Sequence, residues 1–157
     1  MLMCVGLLAG MAGQVRAATY VVDQAAPGAA DTDGGTEEKP FKTIQHAADV
    51  AKPGDIICVM AGKYDERVAV KTGGTEGQPV AFVAIPPRSA TVRGFDLDGS
   101  HIRVEGFEIT AERPATAVQL RASHCDVLDN YIHHMMVAVN GTDGELSADR
   151  NTRDYSE

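Results

Sequence analysis

Short apolar pairs recur along this chain at a nearly constant offset, and that recurrence limits the fold more than any other feature. Ile57 and Val59 are matched by Val80 and Phe82 (80 − 57 = 23), these by Ile102 and Val104 (102 − 80 = 22), and these by Cys125 and Val127 (125 − 102 = 23). A repeat of this size marks a solenoid, in which each turn adds strands to the same stacked sheets. The last two turns align residue by residue. HIRVEGFEIT (101–110) lies over HCDVLDNYIH (124–133), which stacks His101 on His124, Val104 on Val127 and Ile109 on Ile132. The alternative is an ordinary all-β chain whose apolar pairs fall at this spacing without stacking.

Ahead of the repeat, Thr19–Val22 (TYVV) reads as a strand, followed by a long polar loop that ends at Lys39-Pro40. Phe41, Ile44, Ala47, Ala48 and Ala51 then recur at helical spacing, with Thr43 near the N-cap and Pro53-Gly54 as the stop. Residues 1–17 are apolar and small from Leu2 to Gly13 and end in Val15-Arg16-Ala17, which suits cleavage of a secretory signal after Ala17. No Lys or Arg precedes the apolar run, and the alternative is a buried strand or helix hairpin. Removal of residues 1–17 leaves 13 − 22 = −9 charges and two cysteines, Cys58 and Cys125. Strand alternation sends Cys58 outward and Cys125 inward, so no disulfide between them is expected. Past Asn140 the apolar pattern fails, because Ala148 and Arg150 occupy the positions one period beyond Cys125 and Val127. The expected division is a signal peptide at 1–17, a cap and first coils at 18–140, and a polar tail, irregular or a truncated coil, at 141–157.

From Gly35 to Val68 the stretch GTEEKPFKTIQHAADVAKPGDIICVMAGKYDERV resembles the N-terminal cap and first coil of secreted right-handed parallel β-helix proteins of the pectate lyase-like superfamily. The resemblance rests on TIQ-A (Thr43 to Ala47), PGD (Pro53 to Asp55) and G-x-Y-x-E-x-V (Gly62 to Val68). It implies an all-β parallel β-helix with a capping α-helix, incomplete at its C-terminal end. It also implies the N-terminal portion of an exported polysaccharide lyase-like protein. The intact protein would act on acidic polysaccharide such as pectate or alginate by calcium-assisted β-elimination, in which stacked carboxylates hold calcium and a Lys or Arg takes the proton. The competing reading is a non-catalytic β-helix that presents a surface or carbohydrate-binding face.

The residues offer only part of that chemistry. Calcium takes hard oxygen ligands, and the metal candidates are Asp126 and Asp129. One coil earlier the matching residues are Arg103 and Gly106, so a carboxylate ladder is not expected, and Asp126 over Arg103 reads as a cross-coil ion pair. Asp31-Thr32-Asp33-Gly34 and Asp96-Leu97-Asp98-Gly99 resemble calcium loops, but Lys42 and Phe107 stand where a closing Glu is needed. They read as turns. His133 and His134 could flank a substrate groove, and no catalytic residue is assigned. Asn130, in place of Phe107, is expected at a bend, bonding backbone groups. With 14 Lys plus Arg against 22 Asp plus Glu, the chain carries −8 and has no basic run, which disfavours nucleic acid as a partner. The apolar start is too short to span a bilayer, so an integral membrane protein is not expected. A secreted or periplasmic product with no lyase activity of its own, which self-associates through an open last coil, is the expectation.

Overall fold

The computed structural model describes residues 17–110, 116–133, 136–139 and 152–154. The elements are β1 (Thr19–Val22), α1 (Ile44–Val50), β2 (Ile56–Lys63), β3 (Arg67–Val70), β4 (Val80–Val92), β5 (Gly94–Leu97), β6 (Ile102–Glu105), β7 (Glu108–Ile109), β8 (Thr116–Leu120), β9 (Asp126–Leu128), β10 (Tyr131–His133), β11 (Met136–Val139) and β12 (Thr152–Asp154). All ladders between these strands are parallel.

The pairings define three faces. The first stacks β1, the start of β2, the start of β4, β6 and β9. The second stacks the ends of β2 and β4, then β7, β10 and β12. The third stacks β3, β5, β8 and β11. Because β2 and β4 run round the corner between the first two faces, those faces form one continuous sheet. Thr152–Asp154 pairs in register with Tyr131–His133, so a strand lies within the stretch expected to be an irregular tail or truncated coil.

Strand alternation points every second side chain inward, and parallel stacking turns those side chains into columns. Ile57, Phe82, Val104 and Val127 form one column, and Val92, Ile109 and Ile132 another. Phe82, Phe95 and Phe107 meet at the centre, with ring centroids 6.0 and 5.1 Å apart, and all three are fully buried. Burial of one such side chain is worth about 1.5–3 kcal/mol. Cys125 is buried with the inward column and Cys58 is half-buried on the opposite side of its strand; burial pushes both thiols up.

One register differs from the sequence reading. Ile57 pairs with Phe82 and Val59 with Ala84 (82 − 57 = 25), rather than with Val80 and Phe82. The cause is the connection between β3 and β4, which is lengthened by a turn with a bridge between Thr75 and Gln78. The error is two residues, so every side chain keeps its face. The later registers, Val80 with Ile102 and Val104 with Val127, are as read.

The motifs of the first coil each have a mechanical reason. Thr43 caps α1 by accepting from the His46 N–H, and Ile44, Ala47 and Ala48 bury the helix's inner face. Gln45 donates to the Ala69 carbonyl and accepts from its N–H, at 3.0 and 2.8 Å, which satisfies the open edge of β3 as a neighbouring strand would. Glu66, from G-x-Y-x-E-x-V, accepts from the Ile44 and Gln45 N–H groups at 3.1 and 2.9 Å, two of the donors a helix start leaves without partners. Tyr64 is buried, with its hydroxyl 2.9 Å from the Met60 carbonyl, and burial is the main cause that pushes its pKa up to about 12. The helix is thus tied to the first coil at two points, as a cap must be.

At the corner between the first and second faces, Asn130 replaces Phe107. Its side chain is fully buried, accepts from the Phe107 N–H at 2.8 Å and donates to the Val104 carbonyl at 3.0 Å. A bend breaks the ladder and strands backbone groups in the interior, and the amide supplies the missing partners. Gly106 and Asp129, each just before a bend residue, both have positive φ, 76° and 53°.

Candidate functional site

On the second face Val92, Ile109 and Ile132 point inward, so the alternate residues line the outer surface. Thr91, Glu108 and Tyr131 stack there on successive strands, and His133 lies two residues beyond Tyr131. Glu108 holds the group together. One carboxylate oxygen accepts from the Thr91 hydroxyl at 2.6 Å, and the other lies 3.0 Å from His133 Nε2. The Tyr131 and His133 rings are 4.6 Å apart at their centroids. The hydrogen bond from Thr91 is the main cause that holds Glu108 below the usual carboxylate range; burial opposes it, and His133 adds to the lowering. An ionised carboxylate that orients an imidazole beside an aromatic ring can accept hydrogen bonds from hydroxyl groups.

Two further polar rows are ion pairs. On the third face Arg67 grips Asp96 with two parallel bonds of 2.8 and 2.7 Å and donates to the Thr116 carbonyl at 2.6 Å. Gly94 makes room for it, since a Cβ there would sit 2.6 Å from Arg67 Nη1 and 2.5 Å from the Ala117 carbonyl. Arg121 bonds Asp98 and Gln119 at 2.8 and 2.7 Å. On the first face Arg103 pairs with Asp126 at 2.9 Å, as the sequence suggested, and both are well exposed. His101 and His124 stack with centroids 4.8 Å apart, also as expected.

The described residues do not fit the calcium held by stacked carboxylates that the resemblance implies. Asp126 is committed to Arg103, and Asp129 sits in a left-handed bend. Among the described residues no three His, Cys, Asp or Glu side chains converge as metal ligands. The calcium-like loops are otherwise employed. Asp96 and Asp98 pair with arginines, and Asp31 accepts from the Lys42 and Thr43 N–H groups and the Thr43 hydroxyl. Burial would raise the Asp31 pKa, but the bonds from Thr43 and Lys42 outweigh it and hold the carboxyl low. His134 lies outside the described residues, and so does the expected signal peptide apart from Ala17.

The sequence reading named His133 but missed its partner. Glu108 lies one period plus two residues earlier (133 − 108 = 25), an offset that keeps both on one face. Asp98 and Arg121 are a full period apart (121 − 98 = 23) and were equally findable.

Comparison with solved structures places this architecture. The chain superposes on a rhamnogalacturonan lyase with a TM-score of 0.59 and 19% identity, over 77% of this chain and 37% of that one. It superposes on a lacto-N-biosidase from Eubacterium ramulus at 0.62 and 17%, over 74% of this chain and 27% of that one. The fold is a parallel β-helix. A polysaccharide lyase from Pseudopedobacter saltans matches at 0.50 and 18%, over 55% of this chain and 22% of that one. Residues 27–72 match a family model described as a protein of unknown function, DUF1565. The uncharacterized protein YwoF of Bacillus subtilis is 27% identical over 128 residues, 68% of this chain. The chain spans 27% of that relative's length. Among the described residues no helix is long and apolar enough to cross a membrane.

Proposed function

We propose that this chain is the cap-bearing N-terminal part of an exported β-helix protein that acts on acidic polysaccharide. β-Elimination is the reaction of the whole protein in this reading, with calcium held by residues other than those described here. The observation that carries it is the Glu108–His133 pair, set beside Tyr131 and Thr91 on the outer surface of a parallel β-helix. The two lyases and the biosidase that share the fold support a carbohydrate partner, and the acidic class rests on the likeness to the lyases. An outer sheet surface offers a linear polymer a long, flat track along which coils repeat.

A second reading has its own support. Each of Arg67, Arg103 and Arg121 is tied to an Asp, which leaves these guanidinium groups engaged rather than poised as a base. That favours a coil surface that binds without reacting. Affinity electrophoresis in gels containing polygalacturonate, alginate or chondroitin sulfate separates the possibilities. The chain should be retarded by at least one of them, with retardation weakened several-fold in Glu108→Gln and in His133→Ala. No retardation in any gel overturns the proposal. Ultraviolet-absorbing unsaturated products from the full-length protein would mark the enzyme, and retardation without products the binding module.

A further inference from the structure

Asp55 carries a carboxylate whose surroundings are unusual for the described part of the chain. It is 2% exposed, and among the described residues no cationic side chain pairs with it. Its two oxygens accept from backbone N–H groups instead, Oδ2 from Lys52 at 2.8 Å and Oδ1 from Ala18 at 2.7 Å. The Ala18 carbonyl in turn accepts from the Ile56 N–H at 2.9 Å, so Ala18 is fixed on both sides at the start of β2. Ala17, one residue earlier, is exposed.

The Ala18 nitrogen is the one which cleavage after Ala17 would liberate. We infer that Asp55 is a clamp for the α-ammonium group of a mature chain beginning at Ala18. Hydrolysis of the Ala17–Ala18 peptide bond consumes one water, gives Ala17 its carboxylate and leaves Ala18 with an amine that is protonated at neutral pH. The neutral N–H donor 2.7 Å from Asp55 Oδ1 becomes a charged donor in the same place. The bond, already charge-assisted on the carboxylate side, becomes an ion pair, and opposite charges attract more strongly in a poorly hydrated place than in water. Ala17 is exposed, so the side from which it departs is open to water for the other ammonium protons. Export then completes the fold, for the first strand is pinned to β2 by a charge the precursor lacks. The inference rests on the export reading.

The test uses the protein secreted by a suitable host. Its mass should correspond to a chain starting at Ala18. The α-amine of the folded product should be acetylated about tenfold more slowly than in urea, the effect of roughly one pKa unit. A variant with one Gly inserted after Ala17, secreted and confirmed by mass, should recover fast acetylation and melt several degrees lower. Asp55→Asn should recover fast acetylation too; if it does not fold, the insertion variant decides alone. A product that retains Met1 contradicts export and the clamp together. A product that starts at Ala18, but whose amine reacts as fast folded as unfolded, overturns the clamp and leaves export standing.

Discussion

Glu108 shows how one side chain can stabilise the stack and shape its outer surface. Its carboxyl is held low by Thr91 and His133 against the effect of burial. A depressed folded-state pKa contributes stability that is present in full above the unfolded carboxylate value, about 4.3, and is lost as pH falls through the folded value. Glu108→Gln should therefore lower stability at pH 7 by about 0.5–1.5 kcal/mol, the net worth of a hydrogen bond. The gap from wild type should close in urea titrations as the pH is taken through and below the usual carboxylate range; a gap that stays constant would contradict the pairing. Asn130 gives a larger effect. Asn130→Ala removes both partners of buried backbone groups at the bend, so a loss of about 1–3 kcal/mol is expected from chemical denaturation. Arg103→Ala, by contrast, breaks an exposed pair and should cost no more than about 1 kcal/mol.

At the scale of elements, α1 and β3 form the unit that closes the first coil. Glu66 is the element's unforeseen part, since sequence spacing placed Thr43 at the cap but nothing local connects residue 66 to a helix start more than 20 residues earlier. The contact exists because the coil brings the two together, at 3.1 and 2.9 Å. Substituting Glu66 with Ala should cost about 1 kcal/mol, as removal of an N-cap does. Gln45→Ala would leave the Ala69 N–H and carbonyl without their side-chain partner on an edge strand. Edges without partners recruit other strands, so sedimentation should detect more self-association in Gln45→Ala than in wild type. An unchanged monomer fraction would show that the helix covers the edge without this contact.

For the whole molecule, the period of the apolar pairs was enough to read the solenoid, the inward columns and most of the stacking from the sequence. Val104 over Val127 and Ile109 over Ile132 follow from residue-by-residue similarity. Legibility failed where coil length varies. Between β3 and β4 the turn around Thr75 and Gln78 lengthens the return, and a fixed offset misplaced Ile57 by two residues. Glu108 was hidden from His133 for a different reason: the stacking there keeps the 23-residue period and sets Glu108 against Tyr131, and His133 reaches it diagonally from two residues further along the strand, a contact that an in-register alignment does not display.

Register is thus the claim on which the candidate site, the cap and the core all rest, and native Cys58 gives direct access to it. In the stacking described, Cys58 lies beside Val83 on the outer side of the first face, whereas the uncorrected offset of 23 would put it beside Ala81. Val83→Cys and Ala81→Cys proteins treated with a short thiol cross-linker, digested and mapped by mass spectrometry should give a Cys58 link in high yield for position 83 and little for position 81. A dominant link from position 81, or none from either, would contradict the account.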